Sequence, residues 1–314
     1  MADAAPGDAL ILEGALVLTL DEADTSGHLA VAVQNGRIAA IDVPDRVRER
    51  FPTAERIDCD GRILMPGLVN AHLHPELHVL KGAVEELDLH DWDDAEHFDR
   101  ALVLLSSPEG RWIQQVAIRA SLVDCLLSGT TCVATYGVTV GADEVAAEEL
   151  ALLGLRGRIT IRDNEFRPVD VDGPPPLYRL HAEEALTVDE LEAAARAHRR
   201  GERIIMHAAE TEHRIRLVRE RFGTSTVRLL DRYGLLSPRM LLSHAIHVDE
   251  EERALLAERG VCVVSSPVAE LKLADGIAPI VDYLERGIVV ALGTDCAVCN
   301  NSSDLFLEMR QVGL

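Results

Sequence analysis

The sequence is short of positive charge. Its 314 residues include 31 lysines and arginines against 53 aspartates and glutamates, which gives a formal net charge of −22. Nucleic acids and anionic membranes are bound through clustered Lys and Arg, so the acidic surplus argues against both as partners. Hydrophobic residues make up 47% and charged residues 27% of the chain, the proportions of a folded globular protein, which excludes global disorder.

Long apolar runs are also missing. No window reaches the roughly 18 uninterrupted apolar residues of a membrane-spanning helix. The first residues, MADAAPGDALILEG, lack the basic and apolar regions of a signal peptide. We therefore expect a cytoplasmic protein with no membrane partner.

The cysteine pattern does not indicate a disulfide framework, because the six cysteines are scattered through a long chain. We expect reduced, buried thiols. Cys296 and Cys299 form one CxxC pair, and a single pair cannot complete a four-ligand structural zinc site, so a redox or metal role for it is disfavoured.

Residues 1–63 are predicted to form a small β domain that resembles a sandwich. Apolar runs at Ala9–Thr19 and Leu29–Val33 indicate strands, and Asn35-Gly36 is typical of a tight hairpin turn. A short helix is predicted at Asp45–Phe51, and one more strand follows it.

The pattern changes in residues 64–314, where short β-rich segments alternate with amphipathic stretches. This alternation predicts an α/β fold, a (β/α)8 TIM-like barrel that is distorted or incomplete. The predicted strands are Ile63–Asn70, Thr130–Tyr136, Arg158–Ile161, Pro176–Leu180, Arg203–His207, Met240–His244, Val261–Ser265 and Ile288–Asp295. The predicted helices are Ser106–Ser128, Thr187–Arg199 with a capping-box pattern, Glu212–Tyr233, Asp249–Arg259 and Ala278–Arg286.

Two features do not fit a complete barrel. The link Arg162–Pro175 is too short and too rich in Pro and Asp to hold a helix with its loops, so one helical unit is expected to be missing or replaced. The chain also stops soon after the eighth strand, so the β domain is expected to lack partner strands from a C-terminal tail. An exposed sheet edge favours association, and we expect a homo-oligomer.

The sharpest chemical signal is the HxH motif in PGLVNAHLH. Side chains alternate faces along a strand, so His72 and His74 point the same way. Two imidazoles at the end of a strand can hold one metal ion. The alternative is a pair of polar residues with no metal.

Three other predicted strands end in residues of the same kind. His207 ends one strand and is followed by Glu210, His244 ends the next strand, and Asp295 ends the last. A single such residue is usually structural. Together with His72 and His74 they predict one pocket, because catalytic residues of a (β/α)8 barrel gather at the C-terminal ends of its strands.

The motifs PGLVNAHLH, HAAET, SHAIHV and ALGTDCAVCNNSSDLFLEMR resemble the amidohydrolase superfamily. More narrowly they resemble its chlorohydrolase and nucleobase-deaminase branch, which includes guanine deaminase and the methylthioadenosine/S-adenosylhomocysteine deaminases. The resemblance runs from about residue 8 to the end of the chain. It implies a barrel hydrolase with a metal-activated water.

The resemblance also implies roles for single residues. Glu210 would be the catalytic proton shuttle, and His244 would orient the attacking hydroxide or the substrate, with Asp295 helping to hold the nucleophile. His181 resembles a substrate-contacting histidine, so it joins His244 and Glu210 as a candidate substrate contact. The implied metal ligands are His72, His74, His207 and Asp295.

One metal ion is expected rather than two. Binuclear members of the superfamily bridge their metals with a carboxylated lysine on the fourth strand. The only lysines here are Lys81 and Lys272, and neither is near that strand. Three imidazoles and one carboxylate suit Zn²⁺ best, with Fe²⁺ as the alternative.

Departures from the family pattern leave the substrate open. Ser265-Ser266-Pro267, the pair Ala269-Glu270, and Cys296 replace residues that the family usually has around the substrate. The first hypothesis is an aminohydrolase (deaminase) that replaces an amino group of an N-heterocycle with oxygen and releases ammonia. The second is a hydrolase with the same site that expels chloride or an alkylamine, or opens a cyclic amide. The third is a non-catalytic subunit built on a truncated barrel.

Overall fold

The computed structural model describes residues 9–93, 95–161 and 176–313. The chain divides into two compact units, Met1–Gly67 and Leu68–Leu314, which are described separately here. The link Arg162–Pro175, for which the sequence predicts no helix, lies outside the described residues.

The first unit consists of two small sheets and one helix. A four-stranded sheet has the order β5-β4-β1-β6, and a three-stranded sheet has the order β3-β2-β7. Its elements are β1 Ala9–Glu13, β2 Leu16–Leu18, β3 Ser26–Gly27, β4 Ala30–Gln34, β5 Arg37–Asp42, α1 Pro44–Arg50, β6 Glu55–Asp58 and β7 Ile63–Leu64.

Local backbone geometry explains the strands of this unit. Asn35 and Gly36 both have positive φ, 52° and 71°, as a two-residue hairpin turn requires, so the predicted turn is confirmed. The predicted run Ala9–Thr19 is wrong as a single strand. Gly14, at φ 89°, breaks it, and a Cβ there would come within 3.0 Å of the Asp58 carboxylate.

The second unit contains the parallel strands that position the candidate site. The first of them, β8, starts five residues later than predicted, because Ile63 and Leu64 pair with β2 in the first unit. The strands are β8 Leu68–Leu73, β9 Thr130–Thr135, β10 Arg156–Arg158, β11 Thr160–Ile161, β12 Leu177–Arg179, β13 Arg203–Ala208, β14 Met240–His244, β15 Cys262–Ser265 and β16 Val289–Leu292.

These strands pair in the order expected of a barrel. One sheet has the order β10-β9-β8 and the other runs from β11 to β16 in sequence. Only Ile159 separates β10 from β11, so the third predicted strand is present but interrupted. A parallel bridge between Leu73 and Asp295 joins the first strand to the end of the last. The architecture is a distorted (β/α)8 barrel, as the sequence predicts.

Helices cover the strands, and several differ from the prediction. The predicted helix Ser106–Ser128 begins only at Arg111, and Gly223, at φ 67°, ends α7 and divides the predicted helix Glu212–Tyr233 in two. Helices α2, α3, α5, α10 and α12 were not predicted. The helices are α2 Leu89–Asp93, α3 Glu96–Leu105, α4 Arg111–Leu127, α5 Ala142–Leu153, α6 Val188–Arg199, α7 Glu212–Phe222, α8 Thr226–Arg232, α9 Glu250–Arg259, α10 Pro267–Lys272, α11 Ile280–Glu285, α12 Ala297–Asn300 and α13 Leu305–Val312. Three 3₁₀ turns lie at Pro75–Leu80, Pro108–Gly110 and Glu183–Ala185.

Helix starts and strand cores follow from the sequence. The Thr187 side chain accepts a hydrogen bond from the Glu190 amide, and the Glu190 carboxylate accepts one from the Thr187 amide, so the predicted capping box of α6 is confirmed. The largest apolar core includes Ile204, Leu242 and Val263 on successive strands. Their side chains are shielded from water, as expected for a parallel sheet covered by helices. Within the described ranges, every helix is too short or too polar to cross a bilayer.

A close backbone approach lies beneath the candidate site and gives a testable expectation. A Cβ on Gly293 would lie 2.6 Å from the His72 Cβ and 2.9 Å from the His72 carbonyl oxygen. We expect Gly293→Ala to push the two strands apart and to lower the free energy of unfolding by about 1–3 kcal/mol, measured by urea denaturation. Gly27→Ala is the matched control, because a Cβ there meets only Leu29 at 3.9 Å. Equal stability of the two variants would contradict this account.

Candidate active site

The barrel brings the predicted site residues together at one end. His72 is in β8, His74 follows it, His207 is in β13, His244 ends β14, and Asp295 follows β16. All five side chains are buried. The strands are parallel, so their C-terminal ends meet at the same face, and distant stretches of sequence converge there.

Three imidazoles and one carboxylate form a compact cluster. The Nε2 atom of His207 lies 3.0 Å from Nε2 of His72 and 3.1 Å from Nε2 of His74. The Oδ1 atom of Asp295 lies 3.1 Å from Nε2 of His74 and 3.6 Å from Nε2 of His72. One ligand atom from each of the four residues lies within 4.8 Å of all the others.

The hydrogen-bond partners of the Nδ1 atoms of His72 and His74 explain why this cluster fits a divalent metal. Nδ1 of His74 lies 2.6 Å from the Tyr136 carbonyl oxygen and must donate to it, which leaves the lone pair of Nε2 directed into the cluster. Nδ1 of His72 lies 3.2 Å from the Ser243 hydroxyl. Such partners fix the orientation of metal-binding imidazoles. Converging lone pairs of this kind repel one another unless a cation lies among them.

Electrostatics favours the unprotonated ring at two of the three histidines. Burial lowers the pKa of His72 to about 4, and burial together with the neighbouring imidazoles lowers the pKa of His207 well below its usual value. Burial also acts to lower the pKa of His74, but the hydrogen bond and the charge of Asp295 raise it. Burial alone would raise the pKa of Asp295, but hydrogen bonds from His72 and His74 hold it well below its usual range. The cluster is therefore ready to receive a positive ion.

The strand ends leave the extended conformation in a strained way. Ala209, His244 and Asp295 have φ of 51°, 72° and 60°, in the left-handed region that non-glycine residues rarely adopt. Each such residue costs roughly 1–3 kcal/mol. Backbone hydrogen bonds hold the turn at Asp295 in place. The His74 amide donates to the Asp295 carbonyl, and the Asp295 amide donates to the His72 carbonyl, both at 3.0 Å.

Glu210 lies beside the cluster with two cationic neighbours. Its Oε2 accepts a hydrogen bond from Arg214 at 2.5 Å, and its Oε1 lies 3.5 Å from Nε2 of His244. Arg214 also pairs with Glu184 at 3.0 Å. The arginine fixes one carboxylate oxygen, so the other faces His244.

His244 is held from its far side by a second buried carboxylate. Its Nδ1 lies 3.4 Å from Glu270 Oε1, and Glu270 also accepts hydrogen bonds from the Ser265 hydroxyl and from the Ser266 amide at 2.8 Å. Burial would lower the pKa of His244, but the charge of Glu210 and the hydrogen bond to Glu270 raise it to about 10. Glu270 thus orients the ring and favours a proton on it.

The cluster opens into a pocket of about 380 Å³ with two different walls. One wall is polar and includes His181, Glu210 and Arg214; the other is apolar and comes from the segment after β8 and from one later leucine. Trp92 lies in this apolar wall with its ring edge against Phe98, 4.9 Å between centroids. The apolar wall consists of Leu77, Leu89, Trp92, Phe98, Leu102 and Leu273.

His181 lines the same pocket as the other candidate residues. Its Nδ1 contacts the Glu190 carboxylate, the same side chain that completes the capping box of α6. The start of the helix therefore sets the orientation of this ring.

Several residues of the site were not predicted. Arg214, Glu270 and Asp275 are buried and lie around Glu210 and His244. Arg214 follows Glu210 by four residues, a spacing that could have suggested the ion pair. Glu270 was noticed only as a departure from the family pattern.

The CxxC pair is buried beside Asp295. The sulfur atoms of Cys296 and Cys299 are 2.7 Å apart, both as free thiols. They form with Asp295 a second group of potential ligand atoms within 4.8 Å of one another, but three ligands still fall short of the four of a structural zinc site.

The fold and the four-residue cluster define the class of metal-dependent barrel hydrolases. A model of the amidohydrolase family matches residues 178–312. A 5-methylthioadenosine/S-adenosylhomocysteine deaminase of Syntrophobacter fumaroxidans is 33% identical over 325 residues, 96% of this chain and 72% of the relative. A 5'-deoxyadenosine deaminase of Methanosarcina mazei is 31% identical over 97% of this chain and 73% of the relative.

A solved structure agrees with these relatives. The adenosine deaminase of Xanthomonas campestris with bound zinc has 27% sequence identity and a TM-score of 0.86, over 98% of this chain and 73% of that one. The chain belongs to the amidohydrolase family. The resemblance noted from the sequence motifs is confirmed, and the site is that of a protein that uses a divalent metal.

A buried carboxyl group next to Glu210 gives a prediction about stability. Glu183 accepts hydrogen bonds from the Ala209 amide at 2.9 Å and from the Thr226 hydroxyl. Burial raises its pKa from 4.5 to about 7, so its share of stability is complete below about pH 4.5 and is lost as the pH rises through about 7. We expect Glu183→Gln to remove this loss, which amounts to about 3 kcal/mol at most.

The measurement is the free energy of unfolding in urea at pH 5 and pH 8. The difference between the two pH values should be smaller in Glu183→Gln than in the wild type. Glu192→Gln, at an exposed position on α6, serves as the control and should behave as the wild type does. Parallel pH dependence in all three proteins would show that Glu183 is ionised without cost.

Proposed function

We propose that this chain is a metal-dependent aminohydrolase, which replaces an amino group on an N-heterocycle with oxygen and releases ammonia. The observation that carries this proposal is the position of Glu210, a buried carboxylate between the His/His/His/Asp cluster and the pocket. The names of relatives that are 33% and 31% identical, all deaminases of adenine nucleosides, support it.

The proposed ligands of the ion are the four clustered side chains, His72, His74, His207 and Asp295. Three nitrogen donors and one oxygen donor suit a four- or five-coordinate Zn²⁺, and Fe²⁺ accepts a similar set. The zinc in the structure of the adenosine deaminase supports Zn²⁺ as the first choice. The ion supplies, when bound, a water molecule whose pKa is lowered towards about 7.

Glu210 is the proposed proton carrier. Its carboxyl group gives a proton to the ring nitrogen beside the amino-bearing carbon, which makes that carbon electrophilic. Water then adds to the carbon, and Glu210 takes up the proton that the water loses. The same carboxyl group passes this proton to the amino group, so the C–N bond breaks and ammonia leaves. The proton of the new hydroxyl group returns to Glu210 as the C=O bond forms, which restores the starting carboxyl group. General acid–base catalysis of this kind contributes roughly 10²–10⁴-fold.

His244 and Asp295 are proposed to hold the attacking water from two sides. Nε2 of His244 lies 3.5 Å from Glu210, and the ring stacks on His207 with 5.3 Å between centroids. A protonated His244 donates a hydrogen bond and carries a positive charge toward the developing oxyanion. Glu270 contributes by fixing the ring through Nδ1.

The proposed substrate is an aminated ring with a modest apolar surface. His181 lies on the polar wall, where it can donate a hydrogen bond to the ring, and the apolar wall covers one face of it. The relatives' names make adenine nucleosides the first candidates. The departures at Ser265, Ser266 and Cys296 adjoin the site and leave room for a different ring.

The test measures ammonia release from a panel of aminated heterocycles: adenosine, 5'-deoxyadenosine, guanine and an aminotriazine. We expect release by the wild-type protein with about one equivalent of bound divalent metal, and release lowered at least about 100-fold in Glu210→Gln with the metal retained. Elemental analysis of both proteins distinguishes zinc from iron. Exposed Glu192→Gln is the control for the amide substitution.

Two outcomes would contradict the proposal. Turnover without ammonia, with release of chloride or an alkylamine or with opening of a cyclic amide, would favour the alternative hydrolase. Protein that binds no metal and shows no effect of Glu210→Gln would favour a non-catalytic subunit.

We also propose that the chain acts in the cytoplasm and associates with copies of itself. The free thiols fit a reducing compartment. On α4, Trp112 is 66% and Val116 is 59% exposed, one turn apart, which gives an apolar face that a second copy could cover.

Sedimentation velocity tests the association. We expect the wild type to sediment as a dimer or a larger assembly, and Trp112→Glu to shift it toward the monomer, because a charge on this face must be desolvated at a contact. A wild-type protein that sediments as a monomer at micromolar concentration would contradict self-association, and an unshifted oligomer would place the contact elsewhere.

A further inference from the structure

A second cavity adjoins the pocket that the proposed function uses. Its volume is about 320 Å³, and it shares Leu89, Arg214 and Leu273 with the pocket. The remaining lining residues are polar except for Ala274, in contrast to the apolar wall of the pocket. The polar ones are Asp88, His90, Thr211, His213, Arg216 and Asp275.

Asp275 stands out in this cavity. This residue is only 4% exposed. Neither of its carboxyl oxygens has a hydrogen-bond partner within the part of the chain that the structure describes. A buried carboxylate without donors is costly, and native proteins rarely keep one. Burial and the charge of Glu210 raise the pKa of Asp275 to about 8, which shows how poorly the protein itself solvates this group.

The backbone prevents Asp275 from turning away from the cavity. Its amide donates to the Glu270 carbonyl at 2.9 Å, and its own carbonyl accepts from Nε2 of His247 at 2.6 Å. The next residue, Gly276, has φ of 129°, and a Cβ there would lie 2.9 Å from the Ile246 side chain. The turn is therefore fixed on both sides of the aspartate.

The neighbouring cations are engaged elsewhere. Arg214 pairs with Glu210 and Glu184. Arg216 contacts Nδ1 of His213 at 2.8 Å. The described residues thus provide a buried carboxyl group at the side of the site with no hydrogen-bond partner, and a ligand is left to supply one.

We propose that this cavity is a second compartment of the substrate site, in which Asp275 accepts hydrogen bonds from a substituent that carries an amino or hydroxyl group. The proposal rests on the proposed function, because the heterocycle itself is assigned to the adjoining pocket. It makes Asp275 a specificity-determining residue. The expected order of preference is ammonium, then hydroxyl, then hydrogen, because a cationic substituent favours the ionised form of Asp275. A carboxylate substituent cannot donate a hydrogen bond and is expected to give no gain over hydrogen.

The experiment uses four nucleosides that differ only at the 5' position: 5'-amino-5'-deoxyadenosine, adenosine, 5'-deoxyadenosine and adenosine 5'-carboxylic acid. The relatives' names differ in this same substituent. A hydrogen bond to a charged group predicts that kcat/KM for the amino compound exceeds that for the deoxy compound by about 10- to 100-fold. Asp275→Asn should reduce this ratio to within about threefold.

The control variant is Asp189→Asn, at an exposed position in the first turn of α6, which should keep the wild-type ratio. Asp275→Ser is the second variant, and circular dichroism reports whether each variant is folded. A wild-type ratio near one, or an unchanged ratio in Asp275→Asn and Asp275→Ser, would overturn the proposal.

Binding separates this proposal from the proposed function. Calorimetric titration of Glu210→Gln with the same compounds measures affinity without turnover. A preference for the amino compound that disappears in the double variant Glu210→Gln/Asp275→Asn would support the compartment even if no compound released ammonia. No measurable binding of the amino compound, or equal affinity in the single and double variants, would overturn the compartment while leaving ammonia release to decide the reaction.

Discussion

The site depends on the backbone contact that joins the first barrel strand to the last. The amide of His74 donates to the carbonyl of Asp295, and the amide of Asp295 donates to the carbonyl of His72, each at 3.0 Å. This reciprocal pair fixes two imidazoles and the carboxylate relative to one another before any ligand arrives. It also holds Asp295 at a positive φ that would otherwise relax. His207, the remaining member of the cluster, is brought to the same point by the regular parallel register of β13.

Burial and neighbouring carboxylates give the histidines around this cluster different protonation states. The inward-facing rings of His72 and His207 are kept neutral by burial, while His244 lies between two carboxylates that favour its charged form. The same residue type therefore takes opposite protonation states within 6 Å, since ring centroids of His207 and His244 are 5.3 Å apart. Neutral rings suit a cation, and a charged ring suits a developing oxyanion. Position relative to Glu210 and Glu270 decides which role each ring can take.

Strand periodicity explains what the sequence could predict. The bounds of β14 were predicted to the residue, and the ends of β8, β13 and β16 were predicted to within three residues, because buried parallel strands are continuous apolar runs with a polar residue at the end. The helix α5 was missed because its apolar residues do not form a single stripe: the buried Leu150 lies about 140° around the helix from the buried Val145. Gly223 divided a predicted helix because one left-handed residue suffices to end it.

The site residues that the sequence did not predict were missed for one physical reason. Arg214, Glu270 and Asp275 reach the site from a helix face, a short helix and a turn, and no period along the chain predicts where such side chains point. Glu270 and Asp275 bring two further carboxyl groups close to Glu210, and burial together with the charge of Glu210 disfavours ionisation of Asp275. Glu270 is compensated by a backbone amide, a hydroxyl and the ring of His244. Asp275 has no such hydrogen-bond partner among the described residues. The missing hydrogen bond lies on the side of the site where we propose that the substrate supplies it.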